Sequence, residues 1–277
     1  MIPLIDGDIL LHELGWSGEF KDKESGEPTL MDFDFVADLL DKKITLICEE
    51  VDATKPPIIF VTNSNWIQEN KNRFLNEVPE YKAVFRYKIA KTKPYKNTRS
   101  NLKPFHFYNV LMYLDAHYAL QISEDGYEAD DMMAIMQTAN IDNTIICSRD
   151  KDLRMVEGWH YSWECGSQKA IGPHFTNKFG SLFYKGDKLI GYGNLFFYYQ
   201  MLVGDNVDTI PGLPSFGEKK AFAELYSCKT DEEAFKHVKY LYLKTLGKEQ
   251  AKEYFLEQAN LLWMVREKGK PYEILYN

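Results

Sequence analysis

Asn143-Thr144-Ile145-Ile146-Cys147-Ser148-Arg149-Asp150-Lys151-Asp152 is a short apolar run, bounded by polar residues, that ends in two carboxylates. Such a run is consistent with a strand buried in a sheet. The same arrangement occurs twice upstream. Ile2-Pro3-Leu4-Ile5 leads into Asp6-Gly7-Asp8, and Pro57-Ile58-Ile59-Phe60-Val61-Thr62 leads into Asn63-Ser64-Asn65. Between these runs, Val36, Leu39, Leu40, Ile44, Ile47 and Cys48 recur at helical spacing, which predicts an amphipathic helix from Asp32 to about Val51. A second helix is expected from Pro104, a residue tolerated in a first turn, to about Tyr118, and a third over Glu128 to Asn140. Apolar strands alternating with helices predict an α/β fold with a mainly parallel sheet flanked by helices. Sites in such sheets lie at the carboxyl ends of the strands, where Asp6, Asn63 and Asp150 all fall.

From about Leu189 the pattern becomes helical to the end, broken only by Ile210-Pro211-Gly212-Leu213-Pro214-Ser215-Phe216-Gly217, and neither an internal repeat nor a low-complexity tract is present. A length of 277 residues with 45% hydrophobic and 27% charged residues suffices for a core without staples and excludes a disordered or fibrous class. The 16-residue uncharged stretch from Leu189 to Gly204 is too short and too polar to span a bilayer. No basic leader precedes Ile2, and Cys48, Cys147, Cys165 and Cys228 show no Cys-x-x-Cys spacing, so a cytoplasmic protein without a membrane anchor is expected.

Net charge is −8, but its distribution matters more than its sum. Between Tyr81 and Leu114 stand Lys82, Arg86, Lys88, Lys91, Lys93, Lys96, Arg99 and Lys103, with no acidic residue among them. A basic block in an acidic chain is either a solvated helical face or a stripe for a polyanion. Tyr81, Phe85, Tyr87 and Tyr95 within it are candidate stacking platforms for bases, or else packing residues. Trp159 and Trp163 read as core or loop packing.

Three acidic groups follow. Glu128-Ala129-Asp130-Asp131 begins a helix, where carboxylates also serve as caps. Asp150 and Asp152 stand two residues apart, and Asp205-Asn206-Val207-Asp208 follows an apolar run. Each has an adequate structural explanation alone. With Asp6 they make eight carboxylates expected around one sheet edge, whose mutual repulsion a cation would relieve. Oxygen ligands select hard ions, Mg²⁺ with Mn²⁺ as substitute, and two such ions about 4 Å apart suit phosphodiester hydrolysis. Beyond Asp208, the glycines of the Ile210–Gly217 break permit a tight turn, and the N–H groups of the following helix, beside Lys219 and Lys220, offer an anion site.

These motifs together resemble the 5′-nuclease (flap endonuclease) superfamily, most closely its small bacteriophage 5′→3′ exonucleases. The resemblance runs nearly end to end through Ile5-Asp6-Gly7, Pro79-Glu80-Tyr81-Lys82, Tyr127-Glu128-Ala129-Asp130-Asp131, Ser148-Arg149-Asp150-Lys151-Asp152 and Gly204-Asp205-Asn206-Val207-Asp208 running into Ile210-Pro211-Gly212. It implies a 5′-nuclease/PIN-like core over residues 1–188, including a basic helical arch at about 75–103, and a helix-hairpin-helix subdomain over 189–277. It implies that Asp6, Glu128, Asp130, Asp150 and Asp152 bind metal, that Asp131, Asp205 and Asp208 complete a second position, and that Lys82 and Arg86 meet the scissile phosphate. Gly212 and Gly217 would touch DNA phosphates, aided by Lys219 and Lys220, with Lys88, Lys91 and Lys93 along the arch. Two departures stand out. The family usually carries aspartate where this chain has Asn63, which brings no charge, and its arch lysine and arginine are usually three residues apart, whereas Lys82 and Arg86 are four apart.

The implied function is metal-dependent hydrolysis of DNA from 5′ ends to 5′-phosphorylated products by a monomer, with flap cleavage and hydrolysis of RNA in hybrids as further activities. Two alternatives stay open. A phosphatase using Asp6 as nucleophile leaves the hairpin and basic block without a role, and a DNA-end-binding module would make the carboxylates structural.

Overall fold

The structure is a computed structural model and describes residues 1–21, 25–63, 84–97 and 102–272. Contacts divide the chain into two compact units. The first comprises Met1–Lys82, Asn101–Arg149 and Trp159–His174; the second comprises Ala83–Ser100, Asp150–Gly158 and Phe175–Asn277. Each is built from separated segments, so the single boundary expected after residue 188 gives way to an interleaved division.

In the first unit, β1 (Ile2–Asp6) pairs in parallel with β4 (Ile58–Val61) on one side and β6 (Thr144–Cys147) on the other. Strand β5 (Ala119–Ile122) extends the sheet beyond β4, β7 (Gly158–Ser162) pairs in parallel with β6, and β8 (Ile171–Thr176) is the last strand. The order β5-β4-β1-β6-β7-β8 makes β1 the point where the chain turns from one half of the sheet to the other, the position where open α/β sheets open a crevice.

Side-chain alternation along the strands supplies a core on each face. Ile5, Ile59, Val61, Ile145 and Cys147 pack with Leu10, Leu11 and Leu14 of α1 (Gly7–Ser17), Val36, Leu40, Ile44 and Ile47 of α2 (Phe33–Glu50), and Phe107, Val110, Leu111 and Leu114 of α4 (Phe107–His117). Helix α3 (Phe85–Ile89) belongs to the second unit. Leu4, Phe60 and Ile146, equally buried, project to the opposite face, which α5 (Ala129–Ala139) covers. Full burial of one such aliphatic side chain contributes roughly 1.5–3 kcal/mol. Trp163 lies in this core, with Trp159 packed against it. A short hairpin of β2 (Glu19–Lys21) and β3 (Pro28–Leu30) completes the unit. Helix α4 starts three residues after Pro104, whose carbonyl accepts the Phe107 N–H in a preceding turn.

In the second unit, the hairpin of β9 (Ser181–Lys185) and β10 (Lys188–Tyr192) precedes α6 (Gly193–Val203), which is buried over nearly its whole circumference. The uncharged stretch is therefore part strand and part core helix, and no described helix is long and apolar enough to cross a membrane. Helices α7 (Glu218–Leu225) and α8 (Asp231–Leu262) follow, the latter interrupted at Gly247. The 84–97 segment is anchored to this unit. The Glu257 carboxylate of α8 accepts the Lys91 and Thr92 N–H groups and the Thr92 hydroxyl, each at 2.7 Å.

Candidate metal and nucleic-acid site

Helices that start where strands end place the carboxylates of the first unit. Asp6 closes β1 and caps α1, its Oδ1 accepting the Ile9 N–H at 3.1 Å and its Oδ2 the Ser148 hydroxyl at 2.6 Å. Helix α1 begins within van der Waals reach of β4, since a Cβ at Gly7 would stand 2.6 Å from the Phe60 carbonyl oxygen. Asp8 accepts the Thr62 N–H at 3.1 Å and the Thr62 hydroxyl, whose oxygen in turn accepts the Ala129 N–H at 3.0 Å. Asn63, just beyond β4, accepts no charge but donates its amide to Asp125 at 3.2 Å. At the start of α5, Glu128 and Asp131 form a capping box, with Asp131 Oδ2 accepting the Glu128 N–H at 3.1 Å. Asp131 is fully buried, whereas Glu128 and Asp130 are half-buried.

The second unit gathers Asp150, Asp152, Asp205 and Asp208. Asp150 Oδ1 accepts the Asp152 N–H at 2.8 Å, which starts the 3₁₀ turn Asp152–Met155. Burial pushes the Asp150 carboxyl above its usual range, the Asp208 charge adding to this against the Asp152 hydrogen bond. Burial and then the Asp150 charge push Asp152 up to about 7. Asp152 Oδ1 accepts the Gln200 amide at 2.5 Å. Asp205 is buried, with Oδ1 turned onto the Val207 N–H at 2.8 Å and the Asp208 N–H at 3.4 Å. Its loop closes on itself through the Asp205 N–H to the Ile210 carbonyl at 2.8 Å and the Ile210 N–H to the Asp205 carbonyl at 2.7 Å. Asp208 accepts the Tyr95 hydroxyl at 3.1 Å and lies 4.0 Å from Lys96 Nζ.

Lys151 stands among these groups. Its ammonium pairs with Asp205 and lies 3.3 Å from Asp152. Burial alone would lower it, but Asp152, Asp205 and Asp150 outweigh that and hold it up at about 12. With all four carboxylates ionised, they would exceed the ammonium groups of Lys151 and Lys96 by two negative charges, the charge of one divalent cation, and the raised Asp150 and Asp152 carboxyls reflect that crowding. The oxygen-only donor set fits a hard ion, and Gln200, which donates its amide to Asp152, has its Oε1 buried without a hydrogen-bond partner. Among the described residues, no three Asp, Glu, His or Cys side chains already stand as an assembled ligand set.

No family model matches the chain, and no curated protein matches it in sequence. Solved structures do. The T5 D15 protein co-crystallized with metal ions aligns over 94% of this chain and 89% of its own, at 14% identity and a TM-score of 0.51. The T5 5′-exonuclease with divalent zinc ions bound aligns over 95% and 99%, at 14% identity and a TM-score of 0.52. This chain has the 5′-nuclease fold.

Within that 5′-nuclease fold, several expected roles are corrected. Arg86 is 1% exposed, and its guanidinium donates to the Leu261 carbonyl at 3.1 Å and the Trp263 carbonyl at 2.7 Å. It satisfies open carbonyls at the end of α8, so it is not presented to a phosphate. Gly212 is buried, with its N–H on Gln258 at 3.0 Å and its carbonyl on the Tyr254 hydroxyl at 2.8 Å. It serves a corner rather than a phosphate: its φ is 67°, and a Cβ there would stand 2.3 Å from the Gly204 nitrogen. Tyr95 is 5% exposed and holds Asp208, so it is not a base platform, and Phe85 is partly buried, whereas Tyr87 is exposed. Lys82, Tyr81, Arg99 and the rest of arch positions 75–83 and 98–101 lie outside the described residues.

Other expected positions are exposed. Gly217 caps α7 with open space around it, and Lys219 and Lys220 stand in its first turn, Lys220 Nζ lying 3.7 Å above the Phe216 ring. Lys88 and Lys93 are exposed, and Lys91 pairs at 2.6 Å with Glu253 in a fully solvated ion pair. Sequence reasoning missed Lys151, Lys96 and Gln200. Lys151 carried a signal, a cation set between two candidate ligands; Gln200 carried none, since its role depends on which face of α6 meets the 3₁₀ turn.

Proposed function

We propose that this chain is a divalent-metal-dependent nuclease that hydrolyses DNA from 5′ ends to 5′-phosphorylated products, with 5′ flaps and RNA in hybrids as further substrates and Mg²⁺ as the working ion. The observation that carries it is the gathering of Asp150, Asp152, Asp205 and Asp208 with two formal negative charges uncompensated, in a chain with the 5′-nuclease fold. Buried carboxylates forced together cost stability unless a cation is part of the working state.

Asp150, Asp152, Asp205 and Asp208 are proposed to hold one ion, and Asp6, Glu128, Asp130 and Asp131 to serve the other. Asp131 and Asp6 also cap helices, which fixes their carboxylates in place. Ions held there would supply positive charge to the attacking water and to the departing 3′-oxygen. Gln200 orients Asp152, while Tyr95 and Lys96 orient Asp208. Lys82 is proposed to meet the scissile phosphate. Lys219 and Lys220, at the start of α7, are proposed to grip the duplex backbone through charge, which makes binding sequence-independent and salt-sensitive. The protein is proposed to act as a cytoplasmic monomer.

A 5′-labelled duplex and a 5′-flapped duplex incubated with Mg²⁺ or Mn²⁺, against a chelator control, test this. Metal-dependent release of 5′-phosphorylated mono- and oligonucleotides is expected. A gel shift without cleavage in either ion would leave a DNA-end-binding module, and inorganic phosphate as sole product would leave a phosphatase.

A further inference from the structure

We infer that Lys151 is an internal counter-ion which a divalent cation displaces, so that metal enters this site by exchange for an ammonium group. The inference deepens the nuclease reading and rests on its metal requirement. Asp205 explains why exchange is needed. Its Oδ1 is committed to the Val207 and Asp208 N–H groups, which leaves Oδ2 as the oxygen that can face an ion, and Lys151 Nζ is paired with that Oδ2. The same ammonium lies 3.3 Å from Asp152 Oδ1, the oxygen that also accepts the Gln200 amide. An ion approaching either carboxylate therefore meets a positive charge first.

The surroundings permit exchange. The Lys151 side chain is 48% exposed, so its flexible stem can carry the ammonium to solvent without unpacking the unit, whereas the Asp205 side chain is only 4% exposed and stays. Gln200 is 1% exposed, and its Oε1 has no partner while its nitrogen faces Asp152. An unpartnered oxygen thus stays dry on the amide that holds Asp152. Lys151 does two jobs in this scheme. It compensates the carboxylates when no metal is bound, and it sets a threshold below which divalent ions do not compete.

Calorimetric titration with Mn²⁺ alone, on the wild type, Lys151→Met and Lys151→Arg, reads the exchange without any catalytic step. Lys151→Met is expected to bind Mn²⁺ about tenfold more tightly, because no charge has to leave, and to melt at a lower temperature than wild type in chelator. Lys151→Arg is expected to keep the wild-type melting temperature in chelator and to bind Mn²⁺ no more tightly than wild type. If Lys151→Met cannot be isolated without metal, the Mn²⁺ concentration giving half the maximal gain in melting temperature is compared between Lys151→Gln and wild type, with the same tenfold decrease expected. Equal or weaker Mn²⁺ binding by the neutral variants would overturn the counter-ion role while leaving the nuclease reading intact. Absence of Mn²⁺ binding by wild type and variants alike would overturn both.

Discussion

The acidic groups of the two units are the same residue types under different management. In the first unit, Asp6, Asp8 and Asp131 rest on backbone N–H groups and hydroxyls at the starts of helices. Neutral donors stabilise a carboxylate without bringing a second charge. In the second unit, Asp150, Asp152, Asp205 and Asp208 face one another and the ammonium groups of Lys151 and Lys96. Charge there is balanced against charge, and the balance is incomplete. Capping carboxylates are held by the fold's own N–H groups and hydroxyls, whereas the repulsion among crowded ones is what a cation would relieve.

The sharpest way to break this contrast is Asp152→Asn. Turnover on 5′-labelled duplex is expected to fall at least about 10³-fold, with DNA affinity unchanged or raised because one negative charge is gone. A variant that cleaves at the wild-type rate would remove Asp152 from the metal site. Next comes Arg86→Met, which strips a buried charge from its two carbonyl partners. Chemical denaturation should show a loss of about 3 kcal/mol, with DNA affinity of the folded fraction unaltered; a selective loss of cleavage at full stability would restore a phosphate role.

Acidity offers a third probe. Asp152 titrates at about 7 when folded, above its unfolded value near 3.9, so the folded chain keeps a proton that the unfolded chain releases. In chelator, its contribution therefore favours folding at low pH and is lost as pH rises from about 4 to about 7. Relative to Asp152→Asn, wild-type stability should fall by roughly 4 kcal/mol over that window; parallel curves would place Asp152 among the satisfied carboxylates. In the first unit, Asp131→Ala should cost about 1–2 kcal/mol in thermal unfolding with or without metal, since it removes the capping acceptor of the half-buried Glu128 N–H. Smallest of all, Lys219→Ala should leave stability within about 0.5 kcal/mol and flatten the salt dependence of DNA binding by about one charge.

The elements legible in the sequence were those whose residues carry a strong local signal. β1, β4 and β6 are short apolar runs, and α2 and α5 show helical periodicity with acidic or capping starts. β5 and the β7–β10 strands were not foreseen, because their residues are partly exposed and lack a sustained apolar run. Of the candidate site, the acidic motifs were legible as spacing in a linear string, as was the basic block. The allegiance of residues 84–97 to the helical unit was not, since it hangs on Glu257, over 160 residues away.

By itself, then, the sequence determined the parallel α/β plan, the strand ends that carry carboxylates and the resemblance to 5′ nucleases, because hydrophobic period and motif spacing are local properties of a chain. Tertiary structure alone decided which charges are spent. Arg86 and Gly212 have the residue types that phosphate contact calls for, yet burial gives their polar groups internal partners. Lys151 stands between two candidate ligands in the sequence, but only the fold sets Asp205 against it. A side chain's chemistry is written in its identity, but its availability depends on long-range partners and on the water it has lost.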